Sequence, residues 1–191
     1  MSRLTHYIES LSQALQHMPA AQLGHIELLL WQAYQRGACI ITCGNGGSAS
    51  TATHFACDLA KWTVTEGQAR LRALALTDNV ALMTAWSNDT TYERVFVEQL
   101  KTHYRPGDVL VAISGSGNSP SVLRAIEWAN DQDAPTIGLT GFDGGKLACL
   151  ARSSVVVPSH FMPEVEDMHS AICHGLAVSL GERIRVPIGE S

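Results

Sequence analysis

The sequence predicts an α/β fold: a three-layer sandwich in which a five-stranded parallel sheet is flanked by helices, plus N-terminal helices used in oligomerisation. Three observations lead there. Short apolar runs of strand length alternate with stretches of helical periodicity from residue 38 onward. The best of these runs, Ala38–Cys43 and Asp108–Ile113, are continuous rather than alternating, as expected of strands buried on both faces in a parallel sheet. Each of the two is followed at once by a Gly/Ser-rich loop and then by a helix. Right-handed crossovers then place helices on both sides of the sheet.

The elements follow in order. Leu4, Ile8, Leu11 and Leu15 recur at helical spacing, and Leu23, Ile26, Leu30 and Ala33 do so again after Pro19, so two helices end near Arg36-Gly37. The strand Ala38–Cys43 leads through Gly44-Asn45-Gly46-Gly47-Ser48 into a helix that reaches about Trp62. Arg72–Leu76 reads as a strand, Asn79–Ser87 as a helix and Tyr92–His103 as another. The strand ending at Ile113 leads through Ser114-Gly115-Ser116-Gly117-Asn118-Ser119 into a helix over Pro120–Asn130. Thr136–Thr140 and Ser154–Val157 complete five strands, and a last helix covers Val165–Ile184. No linker or low-complexity segment interrupts this order. The expected organisation is one domain over residues 1–191, with 1–36 a helical preface and 37–191 the α/β core.

Composition narrows the function. The 191 residues hold 13 Lys+Arg against 18 Asp+Glu, a formal net charge of −5, which offers no global field for nucleic acid. With 46% hydrophobic and 16% charged residues the chain is no disordered one. The low charge fraction points to surface covered by a partner subunit. The N-terminal residues lack the apolar region of a signal peptide, and no apolar run approaches the roughly 20 residues of a membrane helix. A cytoplasmic protein is expected, with no membrane and no nucleic-acid partner. The five cysteines (Cys39, Cys43, Cys57, Cys149, Cys173) contain no Cys-x-x-Cys pair and read mostly as buried thiols.

Both Gly/Ser loops lie where open α/β sheets bind ligands, at the carboxyl ends of strands. Glycine admits an anion close to the backbone, and the following helix offers unpaired N–H groups and its positive end. The Ser114–Ser119 loop has three hydroxyls and two glycines, with Pro120 suited to the first helical turn. It lacks the Gly-Lys-Ser/Thr of a nucleotide-triphosphate loop and the third glycine of a dinucleotide fingerprint, so a small phosphate monoester fits better. Neither loop contains Lys or Arg, so backbone N–H groups and serine hydroxyls must do the gripping.

A second group of residues carries acid–base or metal chemistry. His54 and Asp58 are four apart and share a helix face, where they can supply two metal ligands or set a base beside an imidazole. The last helix adds Glu166, Asp167, His169 and His174 to an otherwise apolar stretch. On a straight helix Glu166 and His174 lie about 80° apart around the axis and roughly 12 Å along it. Either Glu166 precedes the helix proper, or the two act in different places, or the site is shared between subunits.

Taken together, Cys43–Ser48 with His54-Phe55-Ala56, Gly107–Leu110 leading into Ile113–Ser119, and Leu139-Thr140-Gly141 resemble the sugar isomerase (SIS) domain, and within it the phosphoheptose isomerase group. The resemblance covers nearly the whole chain. It implies conversion of sedoheptulose 7-phosphate to D-glycero-D-manno-heptose 7-phosphate through an enediol, in heptose or lipopolysaccharide biosynthesis. It also implies a homotetramer with interfacial active sites and one Zn²⁺ per subunit. Substrate contacts are implied at Asn45, Gly46, Gly47, Ser48, Asn88, Asp89, Ser114, Gly115, Ser116, Ser119 and Glu166. The zinc positions fall on His54, Asp58, Glu166 and His174, with Asp58 and His174 as the base/acid pair. The family generally has Glu at position 58 and Gln at 166, so this chain has a shorter carboxylate at one and an added charge at the other. Two other readings stay open: a non-catalytic relative that regulates replication initiation by binding the initiator ATPase, and an isomerase of another ketose phosphate.

Overall fold

The computed structural model describes residues 2–186. Helix α1 (Arg3–Leu15) begins where the Ser2 hydroxyl accepts the Thr5 amide at 3.1 Å. Its amphipathic sequence is only partly covered within the chain: Leu11 and Ala14 pack at the edge of the core, but none of its residues is fully buried, and Leu4 and Ile8 are 68% and 57% exposed. Helix α2 (Ala20–Gln35) buries Ile26, Leu30 and Ala33, which share one face.

The core then alternates. In order come β1 (Cys39–Gly44), α3 (Gly47–Lys61), β2 (Arg72–Ala75), α4 (Val80–Asp89), α5 (Val95–His103), β3 (Val109–Ile113), α6 (Pro120–Asp131), β4 (Thr136–Thr140), α7 (Gly145–Leu150), β5 (Ser153–Val156) and α8 (Met162–Arg185). All neighbouring strands pair in parallel, in the order β2-β1-β3-β4-β5. The three central strands are buried at every residue, as their continuous apolar character requires. The edge strands β2 and β5 are partly exposed.

Strand alternation sorts the core into two apolar layers. Ile40, Val109, Val111 and Ile113 face α2, α3 and α8, meeting Leu30, Phe55, Leu59, Ile172 and Leu176. Ile41, Cys43, Leu110 and Ala112 face α5, α6 and α7, meeting Phe96, Leu100, Val122, Ile126 and Leu147. Cys39, Cys43 and Cys173 are buried and Cys57 and Cys149 exposed, all as free thiols.

The structure corrects the sequence reading at several ends. The stretch over 92–103 is a 3₁₀ turn, Tyr92–Arg94, followed by α5. Strand β2 stops one residue early, and β1 and β5 are each shifted by one residue. Helix α4 begins one residue later than expected and runs on to Asp89, with the Asn79 side chain accepting the Leu82 amide at 3.0 Å. Helix α8 begins at Met162, three residues early, with a proline in its first turn. Helix α7 was not expected: its 6 residues are too few to display a helical period, and they follow Gly144 in a left-handed conformation (φ 83°).

Helix α7 matters because it braces the second Gly/Ser loop. The Leu147 amide donates to the Gly117 carbonyl at 2.9 Å and the Lys146 amide to Asn118 Oδ1 at 3.2 Å. Gly117 has φ 66°, and a Cβ there would run into the Gly144 carbonyl oxygen. Gly117→Ala therefore suffers both backbone strain and a backbone clash, with a cost on the order of 2 kcal/mol. A urea-unfolding midpoint equal to wild type would contradict this.

Candidate active site

The two loops converge at the carboxyl ends of β1 and β3. In the first, Gly44 passes so close to Ser48 that a Cβ would lie 2.6 Å from the Ser48 carbonyl oxygen, and Gly46 turns with φ 58° into α3. In the second, the Ser114 amide donates to the Leu139 carbonyl at 3.0 Å and the Gly117 amide to the Ser114 carbonyl at 2.9 Å. Ser119 stands at the N-cap of α6 but its side chain caps no helix amide, which leaves the hydroxyl for a ligand.

Between the loops is a pocket of about 190 Å³ lined by Asn45, Gly46, Gly47, Ser48, Ile113, Ser114, Gly115, Ser116, Ser119, Met162 and Glu166. Nine of the expected substrate-contact residues are thus brought together. Asn88 and Asp89 are not: they end α4 at the surface, where Asn88 Nδ2 donates to Asp89 Oδ1 at 2.9 Å. The same region does reach the pocket through a residue that sequence reasoning missed. The Tyr92 hydroxyl donates to Asn45 Oδ1 at 2.8 Å, while Asn45 Nδ2 donates to Ser121 Oγ at 2.9 Å. Nothing in the spacing of Tyr92 marks it out.

The second group forms where α3 packs on α8. His54 Nε2 lies 3.6 Å from Asp58 Oδ1, and His174 Nε2 lies 3.6 Å from Asp58 Oδ2. The two imidazoles meet edge to face with centroids 4.8 Å apart. The carboxylate thus sits between both rings, and one donor atom from each residue falls within 4.8 Å of the others. Two imidazoles and one carboxylate are donor types that suit zinc, and at ligand distances of about 2.0–2.1 Å a tetrahedral array would draw them in from this spacing to about 3.3 Å apart. Behind it is a cavity of about 10 Å³ lined by Thr51, His54, Phe55, Asp58, Ser170, Cys173 and His174. Cys173 lines this cavity as a buried thiol, which burial, and then the Asp58 charge, push far up.

Glu166 is set apart from these three. It lies within α8, not before it, and its carboxylate lines the pocket between the loops. His169 enters neither group. It is fully buried, neither ring nitrogen makes a well-formed hydrogen bond among the described residues, and burial pushes its pKa down to about 4, opposed by the nearby Thr140 backbone.

Comparison with known proteins identifies the architecture. The model of the SIS domain matches residues 5–141. The chain belongs to the SIS domain family. Within that family its relatives include a phosphoheptose isomerase of Rhodospirillum rubrum, 45% identical over 138 residues, which is 72% of this chain and 73% of the relative. A phosphoheptose isomerase of Helicobacter pylori is 39% identical over 166 residues, 87% of this chain and 85% of the relative. Among solved structures, the phosphoheptose isomerase of Neisseria gonorrhoeae superposes with a TM-score of 0.86 at 32% identity, covering 94% of this chain and 96% of the other. One from Francisella tularensis does so with 0.88 at 28% identity, covering 95% and 100%. These place the SIS chain in the phosphoheptose isomerase group of the family.

Proposed function

We propose that this SIS chain is an aldose–ketose isomerase that converts sedoheptulose 7-phosphate to D-glycero-D-manno-heptose 7-phosphate. The observation that carries the reading is that the loop pocket and the His54/Asp58/His174 group share the same two helices. Gly47, Thr51 and His54 follow one another along α3, and Glu166, Ser170 and His174 along α8. Thr51 and Ser170 hydroxyls are 3.4 Å apart between the two sites. Eight residues of α8 span roughly 12 Å, a length suited to an extended sugar phosphate with its phosphate at one end and its carbonyl at the other.

The reaction moves one proton between C1 and C2. In this reading Asp58 takes the C1 proton of the ketose, leaving an enediolate, and a proton delivered to C2 completes the aldose. His174, across the carboxylate from His54, donates to and accepts from the substrate oxygens as charge develops there. The serine hydroxyls and loop amides hold the distal phosphate without a cation. His54, Asp58 and His174 would hold a Zn²⁺ ion, which would supply Lewis-acid polarisation of the sugar carbonyl.

The same reading takes the protein to be a homotetramer in the cytoplasm with active sites at subunit interfaces, working in heptose biosynthesis, and its 191 residues to be a single SIS domain. An apolar groove of about 430 Å³ lined by Leu15, Met18, Leu23, Ile172 and Leu176, beside the uncovered face of α1, supports a second copy packing there. Among the described residues no helix is long and apolar enough to cross a membrane. The intact His/Asp/His group favours the enzyme over a non-catalytic regulator, which has no use for it.

The test is turnover of sedoheptulose 7-phosphate and other ketose phosphates, with and without added zinc. Conversion of the heptulose phosphate above all others, lost on chelation and restored by zinc, is expected. Absence of turnover on every ketose phosphate, with zinc bound, would sink the reading.

A further inference from the structure

Among the residues lining the loop pocket, Asn45 alone carries an amide side chain. It stands between two glycines, Gly44 and Gly46, the second with φ 58°. The backbone on both sides is therefore permissive, and the side chain needs other holds. It has two. Asn45 Nδ2 donates to Ser121 Oγ at 2.9 Å, and the Tyr92 hydroxyl donates to Asn45 Oδ1 at 2.8 Å. Both partners are themselves fixed. Ser121 is buried in the first turn of α6. Tyr92 opens the 3₁₀ turn before α5, where the next residue, Glu93, pairs with Arg124 of α6 at 2.7 Å and the Val95 and Phe96 side chains are fully buried. All these groups belong to one chain, so the bonds are made whatever a second subunit adds outside them.

A carboxamide has two N–H donors at one end and an oxygen acceptor at the other, and the two ends are nearly alike in size. Hydrogen bonds alone decide which end faces where. The Ser121 hydroxyl both donates and accepts, so by itself it would bond either end. A phenol donates better than it accepts, because its oxygen shares electron density with the ring. The Tyr92 hydroxyl therefore selects the amide oxygen. With one N–H spent on Ser121, one Nδ2 hydrogen of this pocket-lining residue is left over. We infer that Tyr92 is a positioning residue: it fixes the Asn45 amide one way round, so that the spare N–H is offered to an oxygen of the bound sugar phosphate. Without the phenol the amide turns over and presents its oxygen for part of the time. This rests on the phosphosugar reading above and adds to it the residue that sets the polarity of one substrate contact.

The test is a double-mutant cycle on the full-length protein with zinc added. The binding probe is the heptitol 7-phosphate made by reducing sedoheptulose 7-phosphate, which has no carbonyl and cannot isomerise. Its Kd by calorimetry, and KM and kcat on the ketose phosphate, are measured for wild type, Tyr92→Phe, Asn45→Ala and the double variant, with a thermal melt of each. Tyr92→Phe keeps the ring. It is expected to weaken the probe and raise KM by about fivefold, the worth of one hydrogen bond, with kcat and melting temperature little changed. In the Asn45→Ala background the same substitution should shift Kd and KM by less than about twofold. Asn45→Asp keeps an acceptor for Tyr92 but has no N–H to offer, and should bind the probe no better than Asn45→Ala. Equal losses from Tyr92→Phe in both backgrounds overturn the inference, because Tyr92 would then act otherwise than through Asn45. So do wild-type Kd and KM in Tyr92→Phe, a loss confined to kcat, and wild-type affinity in Asn45→Asp. The Kd cycle needs no isomerisation, so failure of the proposed reaction is told apart from failure of this assignment; a wild type that does not bind the heptitol phosphate overturns both.

Discussion

Asp58→Asn is expected to lower kcat/KM on sedoheptulose 7-phosphate by about a thousandfold, within the range that positioned acid–base groups contribute. The reason is the placement of one carboxylate against two rings. Asp58 offers Oδ1 to His54 and Oδ2 to His174, each at 3.6 Å, and its side chain is 23% exposed. The amide keeps the size but can neither accept the C1 proton nor contribute an anionic ligand, so zinc content should fall with turnover. His174→Ala should lose activity to a similar degree. Because Asp58→Asn keeps the side chain's size and His174 is more than half exposed, neither change removes core packing, and the unfolding midpoint should move little. Steady-state kinetics, metal analysis and thermal melts on the same preparations check this. Wild-type turnover by Asp58→Asn would refute the assignment of the base.

The second large effect is on stability. His169 is buried with no well-formed hydrogen bond to either nitrogen among the described residues, and burial, opposed by the Thr140 backbone, holds its pKa down at about 4 against an ordinary value of 6.5. The folded chain therefore keeps a neutral ring where the unfolded chain takes up a proton. Between pH 6.5 and 4 the unfolded state binds more protons, so stability falls as pH drops through that window. The full loss, reached below about pH 4, is about 3 kcal/mol from this residue. Replacing it by an apolar side chain of similar volume, as in His169→Leu, removes the buried polar atoms together with the titration. Urea-unfolding free energies measured from pH 7.5 to 4 should fall less steeply for His169→Leu than for wild type. Parallel curves would show that His169 is not the source.

The contrast between these residues marks how far the sequence can be read. Strands β1, β3 and β4 are legible because burial on both faces leaves an unbroken apolar run, and the right hand of the crossovers follows from the twist of the strands. His54 and Asp58 are legible as neighbours because four residues is about one helical turn. The loops are legible because few strand–helix turns combine that much glycine and serine. Helix α7 was missed because 6 residues hold no period, and Tyr92 because its partner Asn45 is 47 residues away.

His174 and Glu166 show the limit most clearly. Periodicity on α8 alone established that the two could not bind one ion side by side, and left three arrangements open. The packing of α8 across α3 removes the arrangement in which Glu166 precedes the helix: within the chain His174 closes on Asp58, while Glu166 lies two turns back over Gly47. The sequence by itself determined the parallel sheet, the paired loops and the i, i+4 pairing of His54 with Asp58, because each is a local pattern of burial or helical spacing. The tertiary structure alone determined that Glu166 lies over Gly47 and that His169 is buried with no well-formed hydrogen bond among the described residues. Those depend on the angle and register at which two helices meet, and no periodicity within either helix encodes that.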